Sequence, residues 1–277
     1  MAPEPGRRVD PVTARSGLRG YSLPLSPTGR SALVPAPPWH FSGEVVMVEY
    51  RADPCAVEAF LPRGLDGRGF DGLAAAIFGD WQSCTDAGAE LADPVRSQYR
   101  EFYVVLACSW QGTPVARCPM CWVDRDFSLV RGLIQGYPKK MGSIAITRGF
   151  RLGRATPPGG AGGRFSGTLA AGDRRLVDLH VTLETRAEPP PLMLAPLVHT
   201  RFFPAWDASV RPLEELVTGG SVDQAIDDVW TGSARLEMHE CPSDELTALR
   251  PVEILRGYRF AFAETITGGT LLSREAR

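Results

Sequence analysis

From Trp39 onward the chain carries short runs in which apolar and polar positions alternate, the period of two that belongs to β-strands. Residues 43–50 are rich in β-branched and aromatic side chains and predict a first strand that reaches back to Trp39. Residues 54–61 read as a short helix. Asp53 can accept hydrogen bonds from its unpaired first-turn N–H groups, and Pro54 at the first helical position has no N–H to leave unpaired. Glycines between 64 and 72 break that helix. Residues 73–78, 99–108 and 115–123 predict further strands, the last two joined at Gly112-Thr113-Pro114 and therefore expected to pair antiparallel. Residues 125–135 have brief helical character. Strand-like patterning returns over 144–152, 163–169 and 175–184, around a Gly/Pro loop. After Pro189-Pro190-Pro191, residues 192–197 and 199–204 fit neither period. Residues 213–217 precede an expected turn at Gly219-Gly220, residues 227–238 read as turn and strand, and 251–266 form a long apolar and polar mixture. The chain is thus mainly β. It has no internal repeat or clean linker, so one domain over 39–277 is expected behind a loose N-terminal arm, 1–38, in which residues 20–25 can wrap the folded body.

Composition narrows the classes of partner. With 277 residues, 44% of them hydrophobic, a sizeable core is available. A net charge of -2 and a pI near 6.1 give no general attraction to nucleic acid or to anionic membranes. The first thirty residues lack the apolar segment of a secretory signal, and no stretch reaches the length of a membrane span. A cytoplasmic protein is expected, with a small-molecule partner, no nucleic acid and no membrane. The six cysteines are irregularly spaced. Cys118-Pro119-Met120-Cys121 stands without a second CxxC or a nearby His, and reads as a buried strand using thiols as small hydrophobes. His180 and His239 have no ligand spacing, and the glycines of 159–163 lack the strand and helix context of a nucleotide loop, so neither a metal nor a dissociable cofactor is expected.

The candidate chemistry lies in Gly136-Tyr137-Pro138-Lys139-Lys140-Met141-Gly142. Thirty residues are Lys or Arg, and the only two lysines are these neighbours. Solubility does not distinguish lysine from arginine; a nucleophile does, because an ε-amine can lose its proton and attack a carbonyl. Adjacent ammonium groups repel, and apolar surroundings withhold water, so both effects are expected to favour a neutral amine.

These residues fall in an ordered series with Tyr50-Arg51-Ala52-Asp53, Tyr99-Arg100-Glu101, Leu192-Met193-Leu194, Trp230-Thr231-Gly232 and Pro251-Val252-Glu253-Ile254. The series resembles the acetoacetate decarboxylase family over about residues 39–268. The resemblance implies a closed, mainly antiparallel β-barrel or cone with peripheral helices, of α+β type, usually in a homo-oligomer. It also implies that Lys139 forms a Schiff base, that Lys140 lowers its pKa, and that Glu101 relays protons or orients the substrate. Tyr137 and Met120 are expected against the substrate. Two departures stand out. A family arginine at the start of the first strand falls at Gly43, and a second family glutamate falls within Leu73-Ala74-Ala75-Ala76. Acetoacetate is therefore not the expected substrate, and His40, Arg30 and Gln82 are candidate replacements.

The expected reaction is iminium chemistry on a keto acid. Loss of carbon dioxide would make a decarboxylase; addition of an aldehyde to the enamine, then loss of water, would make an aldolase-dehydratase acting on a 2-oxo acid such as pyruvate. A barrel that binds or cyclises a biosynthetic intermediate without covalent chemistry is the alternative of another class.

Overall fold

A computed structural model describes residues 17–274. The elements in chain order are β1 (Trp39–Arg51), α1 (Pro54–Ala59), β2 (Leu65–Asp66), β3 (Leu73–Cys84), β4 (Gln98–Trp110), β5 (Thr113–Val123), α2 (Asp126–Gln135), β6 (Lys139–Met141), β7 (Ser143–Ile146), β8 (Arg164–Ala171), β9 (Arg174–Arg186), α3 (Pro191–Leu194), β10 (Leu197–Phe203), β11 (Leu213–Met238) and β12 (Glu253–Arg274). The Asp53 carboxylate accepts from the N–H groups of Cys55 and Ala56, so α1 begins as its sequence dictates.

The strands β5, β4, β3, β1, β12 and β11 pair in that order, and β10 joins β11 to β5 and closes the ring. The mainly β, α+β class agrees with the resemblance, but the ring is not a regular barrel. β10 and β6 both run parallel to β5. β11 also leaves the ring to pair with β9, which extends the sheet through β8 to β7. The Gly219-Gly220 turn does not form. β11 runs through it as one 26-residue strand, and a register shift against β12 between Gly219 and Ser221 absorbs the glycines.

Alternation gives the ring two apolar faces. On the inner face Phe41, Met47, Ile77, Tyr103 and Phe262 form one buried cluster, which surrounds a cavity. On the outer face Val46, Phe78, Phe102 and Trp122 pack with Leu169 and Leu179 of the β8–β9 layer. Wall strands such as β4 are thus buried on both sides, which explains their nearly continuous apolar sequence.

Part of the N-terminal arm is held against the body. Ser22 Oγ accepts from the Val34 N–H at 2.8 Å, Val34 is buried, and the Tyr21 ring meets Trp39 edge-on at 6.0 Å. Residues 1–16 of the arm lie outside the described residues.

Candidate active site

Lys139 opens β6, whose parallel register sets it beside Cys121 and sets Lys140 beside Trp122. Successive strand residues face opposite sides, so the two lysines part company at once. Lys139 points into the ring and is 8% exposed. Its Nζ lies 2.7 Å from Glu101 Oε1 and donates to Ser128 Oγ at 3.1 Å. Lys140 points outward, ion-paired with Asp244 and 4.5 Å above the Trp122 ring centre.

This geometry corrects the expected activation by Lys140. Burial pulls the Lys139 ammonium down, but the Glu101 carboxylate, helped by Tyr99 and Cys121, more than offsets burial, and the pKa lies above the usual lysine value. Among the groups acting on Lys139 the other cation is Arg131, not Lys140. The ammonium form of Lys139 is therefore favoured at rest, in contact with Glu101 Oε1.

The helix α2 supplies the other wall. Arg131 and Gly132 follow Ser128 by three and four residues and share its buried face. Gly132 admits the lysine stem: a Cβ there would stand 2.3 Å from Lys139 Cδ. The helix ends at Gly136, whose φ of 94° turns the chain toward Tyr137 and Lys139.

Arg131 is 4% exposed. Its guanidinium lies 4.5 Å from the Phe41 ring centre, and it donates through Nη1 to Ser83 Oγ at 3.0 Å. Its Nη2 is buried and has no hydrogen-bond partner. A buried guanidinium with a free donor, and no carboxylate in contact among the described residues, can accommodate an anionic group.

Glu264 enters from β12 on the inward phase it shares with Phe260, Phe262 and Ile266. It accepts from Ser221 Oγ at 2.6 Å. Burial raises its pKa, and the nearby Glu101 charge adds to the rise, so Glu264 holds a proton more readily than an ordinary carboxyl group. His199, stacked on Tyr137 with ring centres 3.8 Å apart, is pushed down to about 3 by burial and stays neutral.

Lys139, Glu101, Tyr137, Arg131, Glu264 and His199 line one cavity of about 640 Å³, within the range of small-molecule sites. Four expected contacts are not in it, for one reason: each side chain leaves its strand or loop in another direction. His40 sits between inward Trp39 and Phe41 and bonds Thr265 and Asp86 outside. Gln82 follows inward Trp81 and bonds Gln98. Met120 belongs to the outer cluster with Trp122, and Arg30 is exposed on the N-terminal segment. Gly43 does face inward, and the Trp81 ring occupies its side-chain space, 2.4 Å from where a Cβ would be. No arginine fits there.

The family model described as acetoacetate decarboxylase matches residues 22–276. The chain belongs to the acetoacetate decarboxylase family. An acetoacetate decarboxylase of Chromobacterium violaceum is 26% identical over 260 residues, which cover 92% of this chain and 94% of that protein. Among solved structures, the enduracididine biosynthesis enzyme MppR complexed with pyruvate is 46% identical, with TM-score 0.87 over 95% of this chain and 98% of its own. The same enzyme complexed with the condensation product of pyruvate and imidazole 4-carboxaldehyde is 46% identical with TM-score 0.88, over 95% and 97%. An acetoacetate decarboxylase-like enzyme from Sphingomonas wittichii RW1 is 28% identical, with TM-score 0.86 over 92% and 100%.

Arg131, Glu264, Ser128 and His199 were not reached from the family motifs. Glu264 had a signal of its own, since a carboxylate in the apolar phase of an alternating strand is the same signature that Glu101 shows between Tyr99 and Tyr103. Arg131 and Ser128 had none beyond their place in a short helical run.

Proposed function

We propose that this family member is a lysine Schiff-base enzyme that condenses a 2-oxo acid of the pyruvate type with an aldehyde and then eliminates water. The observation that carries the reading is the 2.7 Å contact between buried Lys139 and Glu101 at the wall of the cavity. Arg131 supports the choice of an acid substrate, because its unpartnered Nη2 can take a carboxylate oxygen. The neighbours at 46% identity that hold pyruvate and its condensation product support the choice of pyruvate.

Nζ passes a proton to Glu101 and attacks the ketone carbon; Glu101 returns that proton to the carbinolamine hydroxyl, which leaves as water to give the iminium and the free carboxylate. In a 2-oxo acid the carboxylate sits on the iminium carbon itself, so its loss would leave electrons that the iminium cannot accept. The methyl carbon is placed correctly for that sink. Glu101 removes a proton from C3, and the electron pair forms the enamine. The enamine carbon attacks the aldehyde, whose oxygen takes a proton from Glu264. The Glu264 carboxylate removes the second C3 proton while the hydroxyl takes the proton held by Glu101 and departs as water, which makes the double bond. Hydrolysis returns Lys139 and releases the unsaturated 2-oxo acid. The net change is pyruvate plus aldehyde to enone acid plus water.

Pyruvate with cyanoborohydride is expected to label Lys139, as located by peptide mass analysis, and pyruvate with imidazole 4-carboxaldehyde is expected to yield the conjugated product. An unlabelled Lys139 would overturn the mechanism. Labelling together with carbon dioxide release from acetoacetate, but no condensation, would assign the decarboxylase reaction instead.

A further inference from the structure

The CxxC of β5 is not accounted for by packing alone. Residues three apart on a strand should face opposite sides, yet Cys118 and Cys121 both belong to the inner cluster. A bulge reconciles them. The register against β4 shifts between Val104 and Leu106, at Cys118-Pro119, where a proline has no N–H to offer the ladder. Cys118 Sγ donates to the Met120 carbonyl at 3.5 Å, and the Cys121 thiol donates to Glu101 Oε1 at 3.2 Å.

Oε1 is also the oxygen that Lys139 contacts. Oε2 makes no hydrogen bond among the described residues. The two oxygens of one carboxylate are thus unlike: one is held twice and the other is open to act. Burial and the neighbouring carboxylate push the Cys121 thiol well above its ordinary pKa, so it remains an S–H donor.

We infer that Cys121 is a positioning residue for Glu101, holding Oε1 so that Oε2 is the oxygen that accepts the C3 proton. The inference rests on the Schiff-base reading above. Its weight is greatest once the iminium exists. Lysine then keeps one N–H of its three, and its nitrogen has become planar, so its hold on Oε1 is altered at the moment the base must act. The thiol is unchanged by that chemistry and keeps the carboxylate in place.

Three proteins test this: the wild type, Cys121→Ala and Cys121→Ser. Two steps are read separately with pyruvate alone: cyanoborohydride labelling of Lys139, and deuterium incorporation at the methyl group followed by NMR. In Cys121→Ala labelling is expected to stay within about twofold of wild type while exchange falls about tenfold, the scale of a modest loss of orientation. Cys121→Ser restores an O–H donor and is expected to recover most of the exchange. Exchange in Cys121→Ala at the wild-type rate would overturn the inference, as would a Cys121→Ser protein no faster than Cys121→Ala, since the thiol would then only fill space. Wild-type protein that neither labels nor exchanges removes the pyruvate reading itself, and the inference with it; that failure is told apart by the wild type alone.

Discussion

The stem of Lys139 lies against the bare Cα of Gly132, so closely that a Cβ on Gly132 would stand 2.3 Å from Lys139 Cδ and 2.7 Å from Cε. The lysine reaches Glu101 only because helix α2 has no side chain at that point. Gly132→Ala would normally strengthen a helix, by about 1 kcal/mol. Here it displaces either the helix or the lysine. Pyruvate labelling of Lys139 is expected to fall by about 100-fold. A net loss of stability of about 1–3 kcal/mol from overpacking is expected in thermal unfolding. Normal labelling in a folded Gly132→Ala protein would show that the stem is free to move.

Lys140 faces away from the site, so its removal separates two roles that its sequence position would combine. Lys140→Ala takes the partner from Asp244, whose side chain is 7% exposed, while the lysine side chain is 48% exposed. Solvent screening on the lysine side limits the loss to on the order of 1 kcal/mol. The midpoint of unfolding is expected to drop slightly, and the pH dependence of Lys139 labelling to stay unchanged. A displaced labelling profile would return Lys140 to the activation of its neighbour.

Arg131 is the proposed anchor for the carboxylate of the substrate. Arg131→Gln keeps a donor but loses the charge, and a charge-assisted hydrogen bond is worth about 1.5–3 kcal/mol, or roughly 10- to 150-fold in affinity. KM for pyruvate is expected to rise on that scale, while labelling by acetone, which has no carboxylate, stays near wild type. Equal losses for both ketones would mean that Arg131 supports the wall and not the substrate.

Much of this site was legible before any fold was known, and what was missed follows from direction. The lysine pair marked β6, and Tyr-Arg-Glu marked Glu101, because both motifs are local. The period of two should have separated Lys139 from Lys140, since adjacent strand residues cannot share a pocket; the short β6 has only three residues and shows no period of its own. The same rule parts His40 from Trp39, and Gln82 from Trp81. Gly43 was read as standing where the family has an arginine, and what fills that space lies across the ladder in Trp81, 38 positions away in sequence. The cation and acid of the cavity come instead from α2 and β12, as Arg131 and Glu264. α2 comes to Lys139 through the turn at Gly136, whereas β12 faces it only across the ring.

Glu264 links function to pH most directly. Its folded pKa is raised above the ordinary carboxylate value, chiefly by burial, so the folded state binds its proton more tightly than the unfolded chain. The sign is fixed by that difference: the favourable contribution is present below the unfolded pKa, near 4.5, and is lost as pH rises through the folded value. Above the unfolded pKa the buried carboxyl group burdens the fold, whether it keeps its proton or ionises in the cavity. Glu264→Gln keeps the shape and a hydrogen-bonding group without the charge. The variant is expected to unfold at a higher temperature than wild type at pH 7, with the advantage shrinking toward pH 4, where the native carboxyl is already protonated. Its condensation activity with pyruvate and imidazole 4-carboxaldehyde is expected to fall by about 100-fold, the lower end for loss of a general acid. A stability gain that persists undiminished at pH 4 would show that the charge of Glu264 is not what the fold resists.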